Sequence, residues 1–130
     1  MKINVHFKKP AYTLIALPLL IMALSAQANN VSGDAKRGER IFTGAETIEG
    51  VAACNTCHGK DGNETLGPTF PKLAGQHADY IVQALGDYKQ SIRNNAVMMP
   101  IASKLTSKDM HDVAVYLDHL PGKITEIPKD

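Results

Sequence analysis

The chain has 130 residues, with 14 Lys and Arg against 13 Asp and Glu, only 5% aromatic residues and no tryptophan. This length predicts one domain, and the near-neutral charge excludes the basic field with which nucleic acid-binding proteins attract phosphates. Because aromatic side chains are scarce, the hydrophobic core should be modest.

The first 28 residues have the features of a secretory signal peptide. Three lysines and no acid precede an almost unbroken apolar run, residues 11–24, and Ala26-Gln27-Ala28 places small residues where a signal peptidase reads them. The run of about 14 residues is shorter than the roughly 20 that span a bilayer, so an uncleaved membrane anchor is the alternative. We predict cleavage after Ala28, export to the periplasm and one mature domain over 29–130, with its core in about 33–120.

A first helix is predicted over Ala35–Phe42. Asp34 suits its N-cap, because a short acidic side chain can accept from backbone N–H groups of the first turn. Gly38 inside this helix costs about 1 kcal/mol against Ala. Either the helix simply tolerates it, or Gly38 allows a close approach of the C-terminal helix, with Phe42 packing one turn later. Residues 43–51 have no clear period and predict a loop.

The segment Cys54-Asn55-Thr56-Cys57-His58 has the C-x-x-C-H spacing of a covalent attachment site for c-type haem. Each thiol would form a thioether with a vinyl group, and His58 would be one axial ligand of the iron. A structural zinc site lacks its other ligands, because the chain has only two cysteines. A dithiol oxidoreductase is the haem-free alternative, although the βαβ pattern that accompanies such dithiols is missing.

The loop that follows should orient the histidine. Gly59 permits a sharp chain reversal, and residues 67–75 contain two prolines and two glycines, which predicts an ordered non-helical loop. A haem-ligating histidine needs an acceptor for its other ring nitrogen. We predict that the backbone carbonyl of Pro68 is this acceptor.

Two more helices complete the domain. The apolar pattern over His77–Tyr88 indicates one buried face. Residues 94–100 are predicted to be a loop that contains Met98 and Met99. Thr106-Ser107-Lys108-Asp109 has the pattern of a capping box and opens the last helix, roughly Ser107–Leu120.

One of the two loop methionines is the candidate for the sixth ligand of the iron. A thioether ligand at this position raises the reduction potential of the haem iron, which suits one-electron transfer. The alternative is that Met98 and Met99 fill gaps in the core. The residues alone do not choose between the two methionines, since Pro100 only restricts Met99 to extended backbone.

Together these residues resemble a class I c-type cytochrome, closest to the small bacterial periplasmic type whose domain also occurs doubled in dihaem carriers. The C-x-x-C-H element is shared by many multihaem proteins, whereas Phe70-Pro71-Lys72-Leu73-Ala74-Gly75-Gln76 is more particular. The resemblance covers about Gly33 to Leu120. Its other motifs are Gly33-Asp34-Ala35, Gly38, Phe42, Gly67-Pro68, Tyr80-Ile81, Leu85, Met98-Met99, Leu105-Thr106, Asp109 and Tyr116-Leu117.

The resemblance implies an all-α fold in which the N- and C-terminal helices cross over one covalently bound haem c. The site residues that it implies are Cys54 and Cys57 as thioethers, His58 and Met98 as axial ligands, and the Pro68 carbonyl as the partner of the His58 ring. Met99 is the substitute ligand, because the double methionine leaves the position ambiguous by one residue.

The resulting interpretation is an electron carrier and not an enzyme, since a six-coordinate iron has no position for substrate. Its partners would be a membrane quinol-oxidising complex and a terminal oxidase or reductase, with membrane contact only through partners or an uncleaved anchor. One alternative is a fixed electron-accepting subunit of a periplasmic dehydrogenase. Another is a haem enzyme or gas sensor with a labile sixth ligand.

Overall fold

The computed structural model describes residues 31–123, which form an all-α fold of five helices. The predicted signal peptide and residues 124–130 of the predicted tail lie outside this range. None of the helices within residues 31–123 has the length and the apolar character to cross a membrane. The helices are α1 (Ala35–Thr43), α2 (Asn55–His58), α3 (Ala78–Lys89), α4 (Met98–Lys104) and α5 (Ser107–Asp118).

The predicted caps of the first and last helices are both confirmed. The Asp34 carboxylate accepts from the backbone N–H groups of Lys36 and Arg37, at 3.0 and 3.1 Å. Thr106 and Asp109 form the reciprocal capping box at the start of α5. These bonds satisfy N–H groups that have no partner inside a helix.

The close approach of the first and last helices that Gly38 suggested is also confirmed. A Cβ atom at Gly38 would overlap the backbone carbonyl of Asp112 in α5. One turn later, Phe42 is fully buried, and its ring centroid lies 5.6 Å from that of Tyr116. Gly38 is therefore required for α1 to lie directly against α5.

The core lies where α1, α3 and α5 meet. Its fully buried apolar side chains include those of Phe42 and Leu117. The complete cluster is Ile41, Phe42, Ile81, Val113, Ala114 and Leu117. Burying a side chain of this size contributes about 1.5–3 kcal/mol.

An ion network that the sequence does not predict joins α1 to α5. The Arg37 guanidinium contacts Glu46, Asp109 and Asp112 at 2.7, 2.6 and 2.7 Å. Asp112 is only 1% exposed and also accepts from Lys108 at 2.6 Å. Burial alone would raise the pKa of Asp112, but hydrogen bonds from Lys108, Arg37 and the Asp34 backbone lower it to about 2.

The predicted loop over residues 94–100 is partly wrong, because Met98, Met99 and Pro100 belong to α4. Proline is compatible with this position, since backbone N–H groups in the first turn have no intrahelical partner. The other boundaries differ from the predicted ones by one or two residues. The prediction also did not include α2, a single turn of helix inside the C-x-x-C-H segment.

Candidate haem attachment site

A single helical turn brings the two cysteines to one side of the chain. The N–H groups of Cys57 and His58 both donate to the Cys54 carbonyl, at 3.2 and 3.0 Å. Residues three apart on a helix are neighbours on its surface. Both cysteines are free and partly buried. The two thiols can therefore reach the same planar group.

Burial raises the pKa of the Cys54 thiol to about 11. Reactive dithiols of oxidoreductases have the opposite property, a lowered pKa that provides the thiolate. In addition, residues 31–123 contain no group of three or more His, Cys, Asp or Glu side chains that could hold a metal ion such as zinc. The raised pKa thus makes the Cys54 thiol poorly suited to redox exchange.

The His58 imidazole is buried and oriented by a backbone carbonyl. The residue is 6% exposed, and its Nδ1 atom lies 2.9 Å from the Pro71 carbonyl oxygen. Since a carbonyl only accepts, Nδ1 carries a proton and is engaged in this bond, so Nε2 is the ring nitrogen that could bind a metal. The Phe70 ring packs edge-on against the imidazole, with 6.2 Å between centroids. A neutral imidazole fixed in this way is the form that binds iron.

The predicted acceptor Pro68 is wrong, because the structure places Pro71 at the histidine. The Phe70 N–H donates to the Gly67 carbonyl at 3.1 Å, so the chain makes a tight turn that includes Pro68. After this turn, the Leu73 N–H donates to the Gly62 carbonyl at 2.8 Å. The second half of the loop, and not the first, is thereby held beside His58.

The predicted chain reversal at Gly59 is confirmed. Gly59 has φ 85° and ψ 154°, a conformation essentially limited to glycine. A Cβ atom there would overlap the Glu64 carbonyl. The returning chain then crosses α2, where the Leu66 N–H donates to the Cys57 carbonyl at 3.0 Å.

Asn63 joins this returning loop to the segment after α5, a contact that the sequence does not predict. Its side chain donates to the Pro121 carbonyl at 3.1 Å and accepts from the Lys123 N–H at 2.8 Å. Asn63 is 4% exposed, so both bonds are shielded from water. The Asp61-Gly62-Asn63 turn signal was visible in the sequence, but its distant partners were not.

The two methionines occupy the first turn of α4. Met98 and Met99 are both half-buried, whereas Met110 is 5% exposed and belongs to the core. Met98 and Met99 are thus not among the fully buried residues of the core. Both keep a thioether that is available as a soft ligand.

Histidines 111 and 119 are engaged with their own helix. The Nδ1 atom of His111 lies 2.7 Å from the Ser107 carbonyl, and that of His119 lies 2.6 Å from the Val115 carbonyl. His77 is exposed at the start of α3. These positions agree with surface roles for all three.

The donor set within residues 31–123 fits a covalently bound haem. Two free thiols lie one helical turn apart, and a buried imidazole offers one ring nitrogen while a carbonyl holds the other. Two half-buried thioethers lie in a separate short helix. Haem c needs two thioether bonds and soft or imidazole axial ligands, and the chain has both kinds of group.

Comparisons with known proteins relate the chain to a known family and to solved structures. The sequence profile of the family described as Cytochrome c matches residues 35–121. The chain is 33% identical over 111 residues to the thiosulfate dehydrogenase electron acceptor of Stutzerimonas stutzeri, covering 85% of this chain and 48% of that one. The structure of Acidithiobacillus ferrooxidans cytochrome c4 superposes with a TM-score of 0.61 at 44% identity, covering 69% of this chain and 54% of that one.

The chain spans about half or less of the length of several curated relatives that it matches. It covers 94% of cytochrome c-554(548) of Halomonas halodenitrificans, to which it is 35% identical over 88 residues, or 65% of this chain. The matched unit is thus one haem domain. The chain belongs to the cytochrome c family, whose domain carries covalently bound haem c.

Proposed function

We propose that this protein is a periplasmic electron carrier that holds one haem c through Cys54, Cys57, His58 and Met98, with Met99 as the substitute ligand. The observation that carries the proposal is the buried His58 ring, whose Nδ1 is bound by Pro71 and whose Nε2 makes no hydrogen bond within residues 31–123. When bound there, the haem would supply the one-electron chemistry of the carrier.

The protein's contribution is to keep the imidazole in one orientation and tautomer. Hydrogen bonding of Nδ1–H to a carbonyl increases the basicity of Nε2 and fixes the plane of the ring. The segment that follows Pro71 is itself held in place, because the Leu73 and Ala74 N–H groups donate to the Gly62 carbonyl at 2.8 and 3.2 Å. A fixed ligand limits structural change between oxidation states, which favours rapid electron transfer.

The same loop is also fastened to the core. The Gly75 N–H donates to the Leu117 carbonyl at 2.8 Å, which ties the loop to α5.

Axial ligands on both faces would leave no position for substrate, so the domain acts as a carrier and not as an enzyme. The partners proposed for such a carrier are a quinol-oxidising complex and a terminal oxidase or reductase.

A second candidate is a fixed electron-accepting subunit of a dehydrogenase. It is favoured by the similarity to the Stutzerimonas stutzeri protein, whose name describes an electron acceptor of thiosulfate dehydrogenase. A carrier would purify alone and exchange electrons during brief encounters, because such interfaces are small. A subunit would instead copurify with its dehydrogenase at a fixed stoichiometry.

The test is a visible spectrum of the protein matured in a host that attaches haem c. We expect a covalently bound pigment with the weak long-wavelength band that sulfur ligation gives ferric haem. Met98→Ala should abolish that band, and Met99→Ala should retain it. Absence of bound pigment would refute the proposal, and the reverse result with the two variants would transfer the ligand to Met99.

A further inference from the structure

The methionine-bearing turn of α4 has little apolar support. Helix α4 has only seven residues, and isolated helices of this length are unstable in water. Its buried positions lie at the far end, where Ala102 is fully buried and Leu105 is 4% exposed. In contrast, Met98 and Met99 are half-buried, and Val97 before them is 47% exposed.

The far end of α4 is also fastened by a polar contact. The Lys89 ammonium, at the end of α3, donates to the Leu105 carbonyl at 2.5 Å. A cation is favourable there, because carbonyl groups at a helix C-terminus carry partial negative charge. This bond and the burial of Ala102 hold the last turn, but they do not reach the methionines.

Asn95 holds the first turn. Its Oδ1 atom accepts from the N–H groups of Val97 and Met98, both at 2.9 Å. Its backbone carbonyl accepts from the Met99 N–H at 3.1 Å, so helical hydrogen bonding begins at Asn95. Both methionine N–H groups therefore bond to this one residue.

We propose that Asn95 is a positioning residue for the sulfur ligand, because it keeps the first turn of α4 formed and so keeps the thioether at the iron. The inference rests on the proposed function. It does not depend on which methionine is the ligand, since Asn95 binds the N–H groups of both. Loss of the cap would shift the equilibrium toward a frayed turn in which the sulfur is released.

The test compares haem-loaded variants by titrating the ferric protein with imidazole, which competes with the sulfur. Asn95→Ala should increase the apparent imidazole affinity about fivefold, the equivalent of about 1 kcal/mol for a lost cap. Each loss in stability of the sulfur-bound state appears directly in the competitor's affinity. The intensity of the long-wavelength sulfur band should fall in parallel as imidazole is added.

Three controls separate positioning from general stability. Asn95→Asp retains an oxygen that can cap the helix. The methionine sulfur and the competing imidazole are both neutral, so the added charge should not favour either, and the imidazole affinity should match wild type. Asn94→Ala changes a neighbouring exposed side chain that makes no hydrogen bond within residues 31–123. Thr106→Ala removes the cap of α5 and lowers the thermal midpoint by a similar amount, but it should leave imidazole affinity unchanged.

The outcomes are distinguishable. If wild-type protein shows bound haem and the sulfur band, but Asn95→Ala binds imidazole like wild type, this inference is overturned and the proposed function stands. The same conclusion follows if Thr106→Ala increases the affinity as much as Asn95→Ala does. If wild-type protein lacks the sulfur band altogether, the proposed sulfur ligand and this inference are overturned together.

Discussion

The Nδ1 atom of His58 and the carbonyl oxygen of Pro71 are joined by a 2.9 Å hydrogen bond across 13 residues of sequence. The orientation of the proposed iron ligand is thus set by how the intervening loop folds. Gly59 begins this loop with a backbone conformation that other residues rarely adopt. The structure of the loop should therefore control haem binding as strongly as the motif itself.

The first prediction is that Gly59→Ala prevents normal maturation. The added Cβ would overlap the Glu64 carbonyl, and φ 85° is unfavourable for alanine. We expect a loss of about 3 kcal/mol or more in the free energy of unfolding from the combined overlap and strain. The measurement is the amount of haem-loaded protein per cell together with its denaturant midpoint.

Gly67→Ala is the matched control in the same loop. A Cβ atom at Gly67 meets no heavy atom within 4 Å, and this glycine is not among those with positive φ. Its maturation and stability should stay close to wild type or rise slightly. Equal behaviour of the two variants would show that the loop geometry at Gly59 does not matter.

The elements that sequence predicts well here are those set by local chemistry. Asp34 and Thr106 can cap a helix whatever lies around them, and both do so. The C-x-x-C-H spacing is equally local, because one turn of chain determines where its thiols lie. Local rules therefore predicted where α1 and α5 begin and which residues are proposed for haem attachment.

The features that were missed depend on contacts between distant segments. Which carbonyl reaches His58 is determined by the turn at Gly67 and by the anchoring of Leu73 on Gly62. Likewise, Arg37 meets Asp112 only because α1 and α5 pack closely. The short run of apolar residues around Met98 is compatible with a loop and also with one or two turns of helix, so the sequence does not distinguish them.

The second prediction concerns the contact between α1 and α5. Gly38→Ala should lower the free energy of unfolding by about 3 kcal/mol or more, because the methyl group would overlap the Asp112 backbone and force the helices apart. The readout is thermal unfolding of the haem-loaded protein, where 1 kcal/mol corresponds to about 4–8 °C for a domain of this size.

Gly86→Ala provides the comparison for this prediction. Gly86 lies inside α3, and the nearest atom to an added Cβ is the Gln90 side-chain nitrogen at 3.8 Å. Alanine at such a helical site should stabilise the protein by about 0.5–1 kcal/mol. If Gly38→Ala were also stabilising, the tight packing of α1 on α5 would be contradicted.

The third prediction is a loss of stability in acid that originates at Asp112. Its folded-state pKa of about 2 lies below the ordinary value of 3.8, so the folded state binds this proton less readily than the unfolded chain does. The stabilisation is therefore fully present above a pH of about 4 and is lost as the pH falls toward about 2. Unfolding midpoints measured across this interval should decrease steadily.

Two variants assign the acid effect to the network. Asp112→Asn lacks the charged carboxylate, so it should be less stable than wild type at neutral pH. Because this side chain cannot titrate, the variant should lose less stability on acidification. Arg37→Met should lower the free energy of unfolding by about 3 kcal/mol at neutral pH. This is the lower end of the range for breaking a buried ion pair, because Lys108 and the Asp34 backbone still bind Asp112. An acid profile of Asp112→Asn that parallels wild type would place the titrating group elsewhere.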